Sequence, residues 1–247
     1  MKDIIITGAS YGLGYSIAKI LAKDNNHLHL VSRTMNKKIE DELSKDAKIT
    51  YYKFDLKETR KIANLMNQIF NNISFKSDSI ILINNAATLE PIKFSGNMNP
   101  NDIIDHININ ITSPTIMTSE FIKYLKSYKK SKKIINISSG AGKSPYAGWS
   151  LYCSSKASLD LFTQTVALEQ DSLENGVKIV SFAPGIVETQ MQTLIRAQDE
   201  KDLPLVDRFK ELHNQNALLS PDYVASFIEK NLIESDFVNG DITDIRN

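Results

Sequence analysis

The sequence predicts an α/β fold built on one doubly wound, mostly parallel sheet with helices on both faces. Three observations carry that expectation. Short β-branched runs alternate along the chain with longer segments of helical periodicity. The first run, Asp3-Ile-Ile-Ile-Thr7, leads straight into Gly8-Ala-Ser-Tyr-Gly12-Leu-Gly14 and then a helical pattern, the strand–turn–helix order of a nucleotide-binding unit. The 247 residues, 42% of them hydrophobic, suffice to bury one large core, and no repeat, low-complexity stretch or linker divides them. A single Rossmann domain over 1–247 with a seven-stranded sheet is expected.

The glycines of the first turn have separate physical tasks. Gly8 permits the tight turn, Gly12 lets the backbone approach a diphosphate, and Gly14 lets the helix pack close. The helix that follows, with Ile17, Ile20 and Leu21 on one face, turns free N–H groups and a positive dipole end toward the phosphates. His27 to Val31 reads as the second strand. Arg33 follows it, where a carboxylate would select the ribose hydroxyl of NAD and an arginine suits the 2′-phosphate of NADP. A solvated arginine at a strand end is the competing reading, and Lys37 and Lys38 read as solvated helix charges. Ile49 to Phe54 is the third strand. It ends at Asp55, which either caps a helix beginning near Lys57 or meets the adenine.

Ile80 to Ile83 is the fourth strand, closed by Asn84-Asn85-Ala86-Ala87, small residues that leave room for a flat ligand. Asn84 reads as structural. Pro100 to Leu125 carries a long helical pattern, with Asn110 among apolar flanks and in need of buried partners. Lys133 to Ile137 is the fifth strand and delivers Ser138-Ser139. Tyr152 to Leu173 is the next long helix, and Val177 to Phe182 the sixth strand. Pro184-Gly185 then forces a loop at the strand's carboxyl end, where open α/β sheets bind ligands. The polar stretch Met191 to Ser220 holds two short helical patterns and reads as a lid. Pro221 to Leu232 is a helix capped by Ser220, and Val238 to Ile245 a last strand around Gly240.

The chemistry concentrates between Ser139 and Lys156. Tyr152 and Lys156 stand at i and i+4, on one helix face. An ammonium about 4 Å from a phenolate contributes roughly 4 kcal/mol at an effective dielectric near 20, enough to lower a tyrosine pKa of roughly 10 by as much as about 3. Taken alone the pair is an ordinary helix surface pair; the nucleotide turn, Asn110 and Pro184-Gly185 make it a proton-transfer centre.

Composition narrows the partners. Lys+Arg and Asp+Glu both number 29, so the formal net charge is 0 and neither nucleic acid nor a membrane surface is suggested. The one cysteine, Cys153, forms no internal disulfide and reads as structural. The apolar run after Met1-Lys2 is too short for a signal core, no run approaches a membrane span, and a cytoplasmic location is expected. His27, His29, His106 and His213 show no metal-ligand spacing in sequence, and no metal is expected.

Taken together, these motifs resemble the short-chain dehydrogenase/reductase family over the full length. Thr7-Gly8-x-x-x-Gly12-x-Gly14 matches its cofactor turn, Asn84-Asn85-Ala86-Ala87 is close to its Asn-Asn-Ala-Gly motif with Ala87 for glycine, and Asn110, Ser139, Tyr152 and Lys156 match its catalytic tetrad. Within the family, Gly148-Trp149-Ser-Leu-Tyr152-Cys153 is similar to the sepiapterin-reductase group. Asn136 to Tyr146, Met191-Gln192 with Ile195-Arg196, and Leu218-Leu219-Ser220-Pro221 are closer to bacterial benzil reductases, which form (S)-benzoin with NADPH.

The resemblance implies NADP(H) held by Gly8, Ser10, Gly12, Leu13, Gly14, Arg33, Asp55, Asn85, Tyr152, Lys156, Pro184, Gly185, Val187 and Thr189. Many NADP-using members carry a basic residue where this chain has Tyr11, so the preference rests on Arg33. It also implies proton donation by Tyr152, carbonyl binding by Ser139, ribose binding by Lys156, a water held by Asn110, and a homodimer or homotetramer formed through the two long helices. Tyr146, Trp149 and Met191 are candidates for an apolar wall around an aryl ketone, with ordinary packing as the alternative. A sepiapterin-type pterin reductase and a non-catalytic NADP(H) sensor are the competing functions.

Overall fold

The computed structural model describes residues 1–23, 25–34 and 41–246; Lys37 and Lys38 lie outside them. The described residues form a seven-stranded, all-parallel sheet in the order β3-β2-β1-β4-β5-β6-β7. The strands are β1 (Lys2–Thr7), β2 (His27–Ser32), β3 (Lys48–Lys53), β4 (Ser79–Asn84), β5 (Ser131–Ile137), β6 (Lys178–Ala183) and β7 (Ile242–Asp244). The order reverses between β1 and β4, which opens a crevice at the carboxyl ends of the central strands. Helices lying wholly within the described residues include α1 (Gly12–Leu21), α2 (Ile62–Phe70), α3 (Pro100–Ile107), α4 (Ser113–Tyr124), α5 (Ser150–Asp171), α6 (Gln190–Arg196), α7 (Val206–Asn214) and α8 (Pro221–Ile228).

Strand alternation builds the core on both faces. Ile4 and Ile6 of β1 pack with Ile17 and Leu21 of α1 and with Val224 and Ile228 of α8. Ile5, between them in sequence, faces the other way, with Ile62, Leu65 and Met66 of α2 and Phe121 of α4. Burying each such aliphatic side chain contributes about 1.5–3 kcal/mol, so a sheet covered on both sides needs near-continuous apolar strands.

Two adjacent lysines of β5 anchor a layer each. Lys132 Nζ donates to Tyr128 O (3.0 Å) and Leu125 O (3.4 Å), beyond the end of α4, and to Asn175 O. Lys133 Nζ donates to Leu232 O, Ile233 O and Ser235 O at 3.2, 2.9 and 2.7 Å. Both cations sit on carbonyls near helix ends, where the dipole favours them.

Some boundaries differ from the sequence reading. The helix expected near Lys57 starts at Ile62, after a 3₁₀ turn over Thr59–Lys61. Asp55 instead closes the intervening turn, accepting from Lys57 N at 3.0 Å. The pattern from Pro100 to Leu125 is interrupted by a π-helical turn, Asn108–Thr112, and α8 passes into another, Glu229–Ile233. The last strand is only three residues long, because a turn over Val238–Asp241, with Gly240 at φ 79°, occupies the start of the expected run.

The absence of metal-ligand spacing noted for the histidines does not survive folding. His27 and His29 share one sheet face, the register sets Asp3 beside His27, and the donor atoms of the three lie within 4.8 Å of one another. Asp3 Oδ1 is 2.9 Å from His29 Nε2 and 3.2 Å from His27 Nδ1, while Thr50 and Tyr52 hydroxyls hold the other ring nitrogens. Every polar atom of this buried group therefore has a hydrogen-bond partner.

Candidate active site

The carboxyl ends of β1, β4, β5 and β6 deliver the site. The first turn is stitched to the end of β4 by one hydroxyl: Thr7 Oγ1 accepts from Asn85 N and Ala86 N, both at 3.0 Å. Asn85 Nδ2 donates to Thr7 O at 2.9 Å, so the side chain that the resemblance assigns to the cofactor joins the ends of β1 and β4 here. Gly14 has no room for a side chain; a Cβ there would lie 2.2 Å from Gly8 O. Gly8 and Gly12 take φ 68° and 59°, a region that favours glycine. Tyr11 precedes α1 in extended backbone without a side-chain cap, which leaves the first N–H groups of the helix for an anion.

Across the crevice stands the loop after β6. Gly185 has φ 74°, Val187 bridges to Leu219, and a Cβ on Gly12 would lie 3.5 Å from Thr189 Cγ2. Turn and loop thus face each other across a narrow gap, with Ser10 half-buried and Leu13 buried on the turn side. Farther along the sheet edge, a cavity of about 330 Å³ is lined by Arg33, Lys53, Phe54, Asp55 and Glu58. These residues fit a dinucleotide: an uncapped helix start for its diphosphate, and a cavity carrying Arg33 and Lys53 for its adenosine end.

Beside the crevice, β5 ends at Ser138-Ser139 and α5 begins at Ser150, so Tyr152 and Lys156 occupy its first two turns. Both are buried, with 8% and 3% of their surface exposed. The lowering of the Tyr152 pKa expected from Lys156 does not occur in this arrangement. Burial pushes the Tyr152 phenol up to about 12, and a hydrogen bond with the Ser139 hydroxyl only partly offsets it. Lys156 Nζ stands 5.6 Å from the centre of the Tyr152 ring and donates to Ile137 O at 2.8 Å. Burial brings the lysine down to about 8. Tyr152 is consequently a protonated phenol at neutral pH, the form a proton donor requires.

Asn110 lies in the π-helical turn, buried. Its amide pairs with the backbone of Thr88, accepting from Thr88 N and donating to Thr88 O, both at 2.8 Å. Its remaining contacts run to His106 Nε2 (2.9 Å) and Ser155 Oγ (3.3 Å). The sequence reading gave His106 no role, although its i to i+4 spacing from Asn110 was a visible signal.

The three candidate wall residues come together with Tyr152. Trp149 lies 5.4 Å from Tyr146, 5.8 Å from Tyr152 and 5.4 Å from Phe209 of α7, ring centre to ring centre. Met191, Ile195, Leu203 and Val206 pack in the same cluster. Gly148, at φ 84°, meets the 199–205 loop backbone to backbone, and a Cβ there would be 2.2 Å from Asp202 O. Glu188 ties the stretch after β6 to both following helices: Arg196 donates two bonds to it at 2.9 and 3.2 Å, and His213 Nδ1 lies 3.0 Å away. The sequence reading missed this clamp, since nothing in the spacing of Glu188 and His213 signals their contact.

Comparison with known proteins places this geometry. The family model for short chain dehydrogenases matches residues 2–200. The chain is 39% identical to the benzil reductase ((S)-benzoin forming) of Bacillus cereus, over 98% of each chain. It is 32% identical to the sepiapterin reductase of Mus musculus, over 87% of this chain and 85% of that one. Among solved structures, a short chain dehydrogenase/reductase from Saccharomyces cerevisiae superposes with a TM-score of 0.85 at 27% identity, covering 100% and 97% of the two chains. ElxO with NADP bound gives 0.79 at 25% identity, covering 99% and 96%.

Proposed function

The chain belongs to the short-chain dehydrogenase family, and from that premise we propose that it is an NADPH-dependent carbonyl reductase acting on benzil or related aryl diketones. The observation that carries the reading is the half-buried Ser139 hydroxyl bonded to the buried Tyr152, with the buried Lys156 beside it, next to the glycine turn. When bound, the dinucleotide supplies a hydride to a carbonyl carbon. The chain's own residues do the rest. Ser139 holds the carbonyl oxygen through its hydroxyl, and Tyr152 gives its proton to the oxygen as negative charge develops there. Lys156, charged below about 8, stabilises the phenolate left behind. Gly8 to Gly14 and the N-terminus of α1 bind the diphosphate, Thr189 the nicotinamide end, and Arg33 with Lys53 the 2′-phosphate. Tyr146, Trp149 and Met191 line the aryl site, with 191–220 as its lid.

A pterin reductase is the second reading, favoured by the likeness to the mouse enzyme. It needs a carboxylate free for the pterin amino groups, whereas Glu188 is already bonded to Arg196 and His213. A panel of diketones, monoketones and sepiapterin, run with NADPH and NADH and with chiral separation of products, tests the proposal. Benzil turnover to one enantiomer with NADPH is expected, and Tyr152→Phe should abolish it while NADPH still binds. Equal rates with both cofactors refute the role of Arg33; inactivity on every diketone refutes the substrate class.

A further inference from the structure

We propose that His106 is a positioning residue of the active site, holding Asn110 and the Thr88 segment in register with Tyr152 through a neutral imidazole of fixed tautomer. The inference rests on the catalytic reading above. His106 is fully buried in the last turn of α3. Its Nδ1 lies 2.8 Å from Glu90 O, and a carbonyl oxygen only accepts, so Nδ1 carries the ring proton. In the neutral ring Nε2 is then an acceptor. It receives Asn110 Nδ2 at 2.9 Å.

The amide of Asn110 cannot turn over to suit another partner. Thr88 N must donate to Oδ1 and Thr88 O must accept from Nδ2, which fixes its orientation independently of the histidine. Ser155 Oγ, 3.4 Å from His106 Nε2, donates to Tyr152 O at 2.8 Å. The imidazole also stands edge-on to the Tyr152 ring, 6.5 Å between centres at 87°. One ring therefore joins the segment after β4, the π-helical turn and the start of α5.

Protonation would destroy this arrangement. Nε2–H would face Asn110 Nδ2–H, two donors head to head, and relief by an amide flip would break both bonds to Thr88. The surroundings hold the ring neutral. Burial lowers its pKa, the Lys156 charge adds to that, and the carbonyls of Glu90 and Leu151 only partly oppose them. Among the described residues, the ionisable side chains that act on the ring are Lys156, through its charge, and the Tyr152 phenol, edge-on to it; Glu90 meets it through its backbone.

The test compares His106→Phe and His106→Gln in the full chain. Phenylalanine fills the space without an acceptor; glutamine restores a carbonyl oxygen toward Asn110. His106→Phe should lower kcat at least tenfold with the NADPH dissociation constant within twofold of wild type, and His106→Gln should recover most of kcat. The wild-type kcat should show an acid limb that is absent in His106→Gln. Equal kcat in all three proteins, or the same acid limb in wild type and His106→Gln, overturns the proposal. Ring ¹⁵N shifts of the whole protein test it without turnover, so they separate its failure from failure of the carbonyl-reductase reading. An Nδ1–H tautomer through pH 6 is expected, and an Nε2–H tautomer or a charged ring there overturns it.

Discussion

Gly14→Ala should damage dinucleotide binding more than it damages the fold. The added Cβ would lie 2.2 Å from Gly8 O and 2.5 Å from Asn85 Nδ2. Carbon contacts settle at about 3.5 Å, so the start of α1 must retreat by roughly 1 Å. Neither neighbour can yield instead. Gly8 N is bonded to Val31 O at 2.8 Å and Asn85 Nδ2 to Thr7 O at 2.9 Å. Overpacking of this kind costs about 1–3 kcal/mol of stability. In the proposed binding mode the same retreat would draw the helix N–H groups from the diphosphate; losing one hydrogen bond to a charged group costs about 1.5–3 kcal/mol, which is about 10- to 150-fold in affinity. Fluorescence titration with NADPH reads the affinity, and a urea melt reads the stability. Gly140→Ala is the control, since its nearest neighbour to an added Cβ is Arg246 Nη2 at 3.8 Å. NADPH affinity within threefold of wild type in Gly14→Ala would refute the reasoning.

Lys133→Met removes three hydrogen bonds from the C-terminal carbonyls beyond α8. A loss of about 2–4 kcal/mol is expected, a fall in Tm of roughly 5–12 °C by calorimetry, and a change below 2 °C would show the carbonyls to be otherwise satisfied. Stability should also fall on acidification. Burial keeps His29 from taking a proton in the fold, whereas an unfolded histidine binds one below about 6.5. Bonds from His27, His29 and Ser77 outweigh burial and hold Asp3 well below the usual carboxylate range, so its contribution is present above about 4 and lost below that. Between pH 6.5 and 4.5 the loss from His29 is at most about 1.4 kcal/mol per pH unit, and His29→Gln should flatten that slope in urea melts; an unchanged slope would assign the dependence to other groups.

The first six strands were legible as short, largely apolar runs, and the nucleotide turn because Gly8, Gly12 and Gly14 follow the first of them immediately. Ser220 was legible as a cap, and it accepts from Tyr223 N at 3.2 Å. The failures have physical reasons. The π-helical turn at Asn108–Thr112 keeps helical periodicity, so its extra residue is invisible in the pattern. The Tyr152–Lys156 spacing showed that the two share a helix face, but not that burial would raise the phenol and that Lys156 Nζ would donate to Ile137 O instead. His27 and His29 became partners of Asp3 through sheet register, and Glu188 met His213 through tertiary packing. Neither contact is encoded by local spacing.

The close approach of Gly148 to Asp202 bears on how such enzymes are recombined. Two backbones that touch without an intervening side chain leave no soft layer to absorb a mismatch. A chimera that takes 191–220 from a relative but keeps its own 145–149 joins surfaces that were shaped separately. Those two segments should therefore be exchanged as one module, and libraries that shuffle them independently should lose folded members at this seam.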